Sequence, residues 1–437
     1  MDFLKLIQQF IQDPNAFWVL SGTTLLGLCS GVLGSFAFLR KRGLMGDVLA
    51  HAALPGICMA FMITGSKNPF LFLIGAMITG IFASLCIGWI TRFSRIKEDT
   101  ALGLVLSVFF GLGIVLLTQI QHSDNGNQSG LDKFLFGQSA SMVGSDVQMM
   151  GTVAIILLIL CSLFFKELKL LCFDASFGRS LGFPTGRLDF LLMLFLVVAV
   201  VIGLQAAGVV LMAALLITPA AAARYWTERL NRMIIISACM GSLSGMLGTF
   251  ISSVGYNLST GPVIVLAATV MFILSMVFAP RRGLLAKWLR LLKTRNQVAK
   301  DNLIVWLYET METERTDFVS LDQLKQHHRI SSRVLTGLER SRLLTVERTG
   351  GKETLIRFTE TGWKKAYDTV LTKRMLEVWL MHEGDLESKL PAGEVISKDQ
   401  IPEGLVPQLY SLLVRHKREP KRCRPPAASS VQERVSS

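Results

Sequence analysis

Two stretches constrain this chain before anything else does. Phe190–Ala223 carries no charged side chain over 34 residues, and Met233–Pro280 carries none over 48. A membrane-crossing helix takes about 20 predominantly apolar residues, so each stretch is too long for one crossing and has to turn within itself. Turn-prone residues at Gln205–Ala207 and Gly255–Pro262 mark where. Further apolar segments precede them: Phe17–Leu39, Leu44–Thr64, Asn68–Thr91, Thr100–Gln121 and Val147–Phe165. In lipid every backbone polar group has to be satisfied internally, and segments of this length do so as helices. The pattern predicts an all-α polytopic membrane protein with nine transmembrane helices, or eight if the Gln205 split fails. Only 18% of residues are charged, against about 25% in soluble domains. Disordered, collagenous and disulfide-framework classes are excluded, and the seven cysteines show no CxxC pairing and read as core thiols.

Charge divides the chain. Through Pro280 there are 16 Lys+Arg against 12 Asp+Glu, net +4; from Arg281 onward there are 29 against 20, net +9. Basic residues of the apolar part cluster in alternate connections: Arg40–Arg42, Arg92/Arg95/Lys97, Lys166/Lys169/Arg179/Arg187, Arg224/Arg229/Arg232 and Arg281/Arg282. The positive-inside rule makes that side cytoplasmic. The N-terminus is then outside the cell and everything after Pro280 inside. Residues 1–16 read as an interfacial segment rather than a signal peptide. Glycines at 27, 31 and 34, and at 241, 245 and 248, share helix faces; ordinary close packing and a mobile helix interface both account for them.

Charge inside the membrane is costly, about 2.5–3.5 kcal/mol for Asp at a helix centre on insertion scales. One span nevertheless holds Asp47 and His51, four residues apart on one helix face. A carboxylate oxygen with an imidazole nitrogen suits a first-row divalent metal. The plainer reading is that Asp47 caps a helix start and His51 finds a hydrogen bond nearby. Cys58 is a softer ligand or an inert core thiol, and His122 belongs to an outer loop. A second stretch, 173–186 (FDASFGRSLGFPTG), predicts a short cytoplasmic helix after Asp174 that Gly182 and Pro184 end. It serves as a grip for a nucleotide-driven partner or as a plain connector. Phosphate-loop, triad and dinucleotide patterns do not stand out, so the chain is expected to be a non-catalytic subunit.

These motifs together resemble the permease subunits of ABC importers for manganese, zinc and iron. The resemblance rests on Gly31–Phe36, on Gly46–Gly56 (GDVLAHAALPG), on Asp174–Gly182 (DASFGRSLG) and on Gly208–Ala223 (GVVLMAALLITPAAAA). It covers about Ala16 to Arg281 and is nearest to manganese permeases of Gram-positive bacteria that carry a cytoplasmic extension. It implies a second permease copy or a paralogue, two ATPase subunits on the cytoplasmic face that use the ATP, and an extracellular metal-binding lipoprotein. It implies a bacterial plasma membrane location. It also implies that Asp47 and His51 hold the transported ion, Mn²⁺ before Zn²⁺ or iron, with no permanently bound cofactor. Coupling to the ATPase then runs through Asp174, Ala175, Ser176, Gly178 and Gly182.

Past a basic linker at 282–297, residues 298–383 read as helices followed by a hairpin at Leu344–Phe358 and a helix at Lys364–His382. That order describes a winged helix-turn-helix and resembles the N-terminal domain of iron- and manganese-dependent repressors. A DNA reader would use Ser332, Arg333 and Thr336, near the start of the third helix, for which Ser331 is the expected N-cap. A domain tethered at a membrane is poorly placed to search a genome, so DNA is the less favoured partner and regulation the more favoured role. Of the repressor ligand segment only Glu377 is matched, since Lys373 stands where a metal-ligand His is expected; His382-Glu383 is a further, weaker candidate, and metal sensing by the extension is not favoured. Residues 384–437, rich in Lys, Arg and Pro, read as disordered or lipid-associated. The domain plan is thus 1–16, 17–281, 282–297, 298–383 and 384–437. Two rival functions remain: a secondary transporter in which Asp47 and His51 relay protons, and a membrane-tethered, metal-responsive transcriptional regulator.

Overall fold

The computed structural model describes residues 14–65, 69–122, 144–254, 258–327, 332–348, 354–382 and 405–421. Most of the expected interfacial segment lies outside them, as do Ser331, the hairpin tip at 349–353 and most of the tail. The chain divides into two compact units at Lys287 and Trp288.

The first unit is helical throughout: α1 (Pro14–Leu39), α2 (Met45–Thr64), α3 (Pro69–Phe93), α4 (Glu98–Gln121), α5 (Gly144–Leu163), short α6 (Phe165–Phe173) and α7 (Ala175–Ser180), α8 (Thr185–Trp226), α9 (Leu230–Val254) and α10 (Thr260–Phe278). Among the described residues eight helical segments are long and apolar enough to cross a membrane. Their charged residues sit at or near the ends, and their outward faces are apolar. On α3 the exposed side chains Phe70, Ile74, Ile78, Phe82, Leu85, Trp89 and Phe93 recur every three or four residues. Water would not tolerate such a stripe; lipid does.

The long helix α8 is two arms that fold back on each other. Arg40, at the end of α1, bonds Asp189 near the start of α8, and Leu26 in mid-α1 lies against Gly203. The first arm therefore runs antiparallel to α1. Beyond Gly208 the order inverts, because the Leu216 carbonyl faces Gly34 and Ala220 and Ala223 pack on Phe38 and Leu39. Gly208 makes the reversal at φ 74° and ψ 171°, a region that is essentially glycine's alone. The split expected in this run is present, so the ninth of the expected crossings corresponds to the returning arm. Thr185–Leu204 is a full span, but the returning arm Leu211–Trp226 is shorter. The turn falls at Gly208 rather than at Gln205–Ala207, because backbone freedom, not side-chain polarity, decides where a buried reversal occurs.

The small-residue faces of α1 and α9 meet directly. A Cβ on Gly241 would stand 2.1 Å from the Gly27 carbonyl oxygen, and one on Gly27 would stand 2.2 Å from that of Gly241. Ser237 Oγ donates to the Gly31 carbonyl at 2.7 Å, and the Thr23 and Thr249 hydroxyls bond at 2.8 Å. Gly241→Leu would have to push the two backbones apart, at about 1–3 kcal/mol or more. The expected outcome is a lower thermal midpoint in detergent, with Gly43→Ala, in open space, as the unaffected control.

The second unit contains most of α11 (Leu284–Glu314), then β1 (Val319–Ser320), α12 (Leu321–His327), α13 (Ser332–Arg340), β2 (Leu344–Arg348), β3 (Thr354–Phe358), α14 (Glu360–Met381) and α15 (Val406–Arg415). The sheet order is β1-β3-β2 and both pairings are antiparallel, with Val346 opposite Ile356. Leu303, Leu307, Tyr308 and Met311 of α11 share a core with Val319, Leu338, Ile356 and Trp363. Thr359 caps α14 by accepting from Gly362 N–H.

Two readings of this part change. The expected linker is helical from Leu284 onward, its basic residues punctuating one 31-residue helix. The expectation of a structureless tail fails at Val406–Arg415. There Leu405, Leu409 and Leu413, four residues apart, bury one face of α15 against Leu371, Met375 and Val378 of α14.

Candidate functional site

Asp47 and His51 lie on the first two turns of α2, and the structure brings them together: His51 Nε2 is 3.4 Å from Asp47 Oδ1. The capping alternative does not describe Asp47. Leu44 occupies the N-cap position, without a side-chain hydrogen bond, and Asp47 sits inside the first turn. The helix dipole favours an anionic group there. His51 packs edge-on against Phe110 of α4, ring centroids 4.7 Å apart. Phe110 stands about halfway along α4, twelve residues past Glu98, so the imidazole meets the apolar part of that span although His51 is itself only six residues into α2. Its Nδ1 is buried without a hydrogen-bond partner among the described residues. Yet the side chains of His51 and Asp47 are 24% and 37% exposed in the single chain. The pair thus lies on an open flank of the unit, at the depth of the apolar layer.

Cys58 belongs elsewhere. It is fully buried, with its thiol directed at the Gly113 carbonyl at 3.9 Å. His122 ends α4, exposed, its Nδ1 on the Thr118 carbonyl at 2.8 Å. Among the described residues no group of three or more His, Cys, Asp or Glu could hold a metal ion. A complete coordination shell from side chains would therefore need ligands beyond the described part of one chain.

The stretch after α6 is built as a separate short helix. Asp174 caps α7 by accepting from Phe177 N–H at 2.8 Å and from Ser176 Oγ at 2.6 Å. Ala175 begins the helix, Gly178 is buried against Leu170 and Thr185, and Gly182 leaves it at φ 85°. Phe177 and Leu181 are exposed apolar side chains at this surface. The Phe177 amide and the Ser176 hydroxyl hold the Asp174 carboxyl below its ordinary value of 3.8. The sign follows: the cap is fully present above that value and is lost only as pH falls through the depressed one. Amide protection over 175–180, measured against the intrinsic exchange rate at each pH, should hold from neutral pH down past pH 4 (about the ordinary carboxylate value) and be lost below. Asp174→Ala should show the lowered protection at every pH, while Asp174→Asn, which keeps an acceptor, should not.

An ion network missed by local sequence reading lies beside both features. Asp189 of α8 accepts from Arg40 and from Arg42, each at 3.0 Å. Arg40 also donates to the Leu171 carbonyl of α6, and Arg42 also pairs with Glu98 at the start of α4. Only the near alternation of basic residues with membrane ends hinted at it.

In the second unit Ser332 and Arg333 fall on the first turn of α13 and Thr336 is exposed on the next. The segment at Lys373–Glu377 is occupied by ion pairs. Lys373 meets Glu309, Arg374 meets Glu312 at 2.6 Å and Glu377 meets Arg418.

Comparison with known proteins places these features in context. The manganese transport system membrane protein MntC of Bacillus subtilis is 46% identical over 416 residues, 94% of each chain. That span reaches well into the second unit. The zinc transport system membrane protein TroC of Treponema pallidum is 43% identical over 279 residues, 64% of this chain and 94% of its own. The solved structure of PsaBC from Streptococcus pneumoniae in complex with Fab matches with a TM-score of 0.58 and 32% identity, over 66% of this chain and 99% of the other. The model of the ABC 3 transport family matches residues 12–279. The chain, a multi-pass membrane protein and a non-catalytic transport subunit, belongs to that family.

Proposed function

We propose that this chain is the permease subunit of an ATP-driven importer of a divalent transition metal, with manganese favoured over zinc or iron. The relatives' manganese and zinc transport names support the substrate class. The observation that carries the reading is the Asp47–His51 pair, partly exposed on an open flank in the first two turns of α2, with one imidazole nitrogen unpartnered among the described residues. Carboxylate and imidazole together accept first-row divalent ions, and the carboxylate favours manganese. A second permease copy facing this flank would bring another Asp and His and enclose the ion between them. The ion enters from an extracellular lipoprotein. It leaves inward when ATPase subunits, seated on Asp174–Gly182 with the exposed Phe177 and Leu181 beside them, move α7. The basic connections lie in the cytoplasm and the N-terminus outside.

The second unit we read as a winged-helix regulatory domain. The antiparallel β2–β3 hairpin between α13 and α14 supports this, and a role toward the transporter is favoured over DNA.

The test is reconstitution with the ATPase subunits in vesicles, followed by ATP-dependent uptake of Mn²⁺ in competition with Zn²⁺ and Fe²⁺. Uptake should require ATP and be saturable, with manganese the preferred ion. Uptake driven by a proton gradient without the ATPase would favour the proton-relay alternative.

A further inference from the structure

The ends of α14 and α15 bring together two histidines that the transport reading does not use. His382 follows the last turn of α14 and His416 the last turn of α15, each at its helix's C-cap. Their ring centroids are 5.2 Å apart and the planes inclined at 57°. Two imidazoles on one tetrahedral ion, with metal–nitrogen bonds of about 2.1 Å, have centroids about 5 Å apart. His382 Nδ1 lies 3.2 Å from the Val378 carbonyl. That bond places the proton on Nδ1 and leaves Nε2 as the lone-pair nitrogen, the arrangement that orients metal-ligating histidines. Both residues are solvent-accessible, His382 half-buried and His416 exposed, so an ion can enter and keep waters in its remaining positions.

We infer that His382 and His416 form a two-imidazole site for a zinc-class divalent ion, one that fastens α15 to α14. An all-nitrogen donor pair selects zinc, copper or nickel over manganese, which prefers oxygen. The site thus differs in preference from the Asp47–His51 pair and reports on a different ion. It stands without the importer reading, since its residues and geometry lie wholly in the second unit. Leu405, Leu409 and Leu413 already hold α15 in place; the ion adds a polar clasp at the far end of that apolar seam.

The experiment uses the full chain in detergent carrying Asp47→Ala and His51→Ala, so that the membrane pair contributes no metal binding. Hydrogen exchange over residues 406–415 is followed with added Zn²⁺ and, separately, Mn²⁺. Micromolar Zn²⁺ should slow exchange in α15 by about tenfold or more, and Mn²⁺ at the same concentration should leave it unchanged. Adding His382→Gln and His416→Gln should abolish the zinc response while α15 exchange without metal stays as it was. Zinc-insensitive exchange in the parent, or a response that survives both substitutions, would overturn the site and leave two rings merely in contact. Because the measurement is blind to transport, its failure leaves the importer reading untouched, and the converse holds.

Discussion

Asp47→Ala and His51→Ala should each reduce ATP-dependent metal uptake to the background of vesicles lacking the permease, with the protein still assembled in the membrane. The magnitude follows from the number of ligands at stake. One chain offers a single carboxylate and a single imidazole, so losing either removes half of what it brings to the ion. If two copies face each other, two ligands vanish at once. Assembly should survive, because neither side chain belongs to the core: both are partly exposed, and helix α2 is held by Val48, Leu49, Ala52 and Ala53, which are buried. His51→Ala also removes an imidazole whose Nδ1 is orphaned, so relief of that penalty should hold stability level or raise it slightly. Asp47→Asn separates charge from ligation, and a large uptake loss there would show that the carboxylate's charge is needed. Wild-type uptake by either alanine variant would return the pair to a structural role.

How legible this was in the sequence varied with the range of the interaction. Spans announced themselves because lipid forbids charge over long runs, and Asp47 and His51 stood out for the same reason. The short helix α7 was readable from Asp174 at its cap and Gly182 at its exit, since capping is a matter of three or four residues. The turn in α8 was misplaced because nothing polar marks Gly208; its signal is a positive φ, which a glycine among many others does not advertise. Helix α15 was overlooked because Leu405, Leu409 and Leu413 sit in a short stretch flanked by charge and proline, where composition outweighed a periodicity of only three positions. The pairing of His51 with Phe110, and of Asp189 with two arginines nearly 150 residues away in sequence, is set by how helices pack. No spacing encodes it.

That last network carries the second large prediction. Asp189→Ala should uncouple ATP hydrolysis from uptake, with hydrolysis by the assembled complex retained and transport falling by an order of magnitude or more. The carboxylate joins Arg40, whose other bond goes to the α6 carbonyl of Leu171, to Arg42, five residues before Asp47. A displacement of α6 and α7 therefore reaches α2 through one side chain. The arginine side chains are only 24% and 14% exposed, and stripping a shared partner from charges at partly buried sites costs about 3–5 kcal/mol when burial is complete and less here, where water reaches them. Stability should consequently fall, which by itself would lower uptake and hydrolysis together. The discriminating readout is their ratio. Asp189→Glu, which retains the charge, should recover much of the coupling if the carboxylate transmits the movement. A parallel loss of both activities in Asp189→Ala, tracking the fall in thermal midpoint, would mean that the network only holds the helices in place.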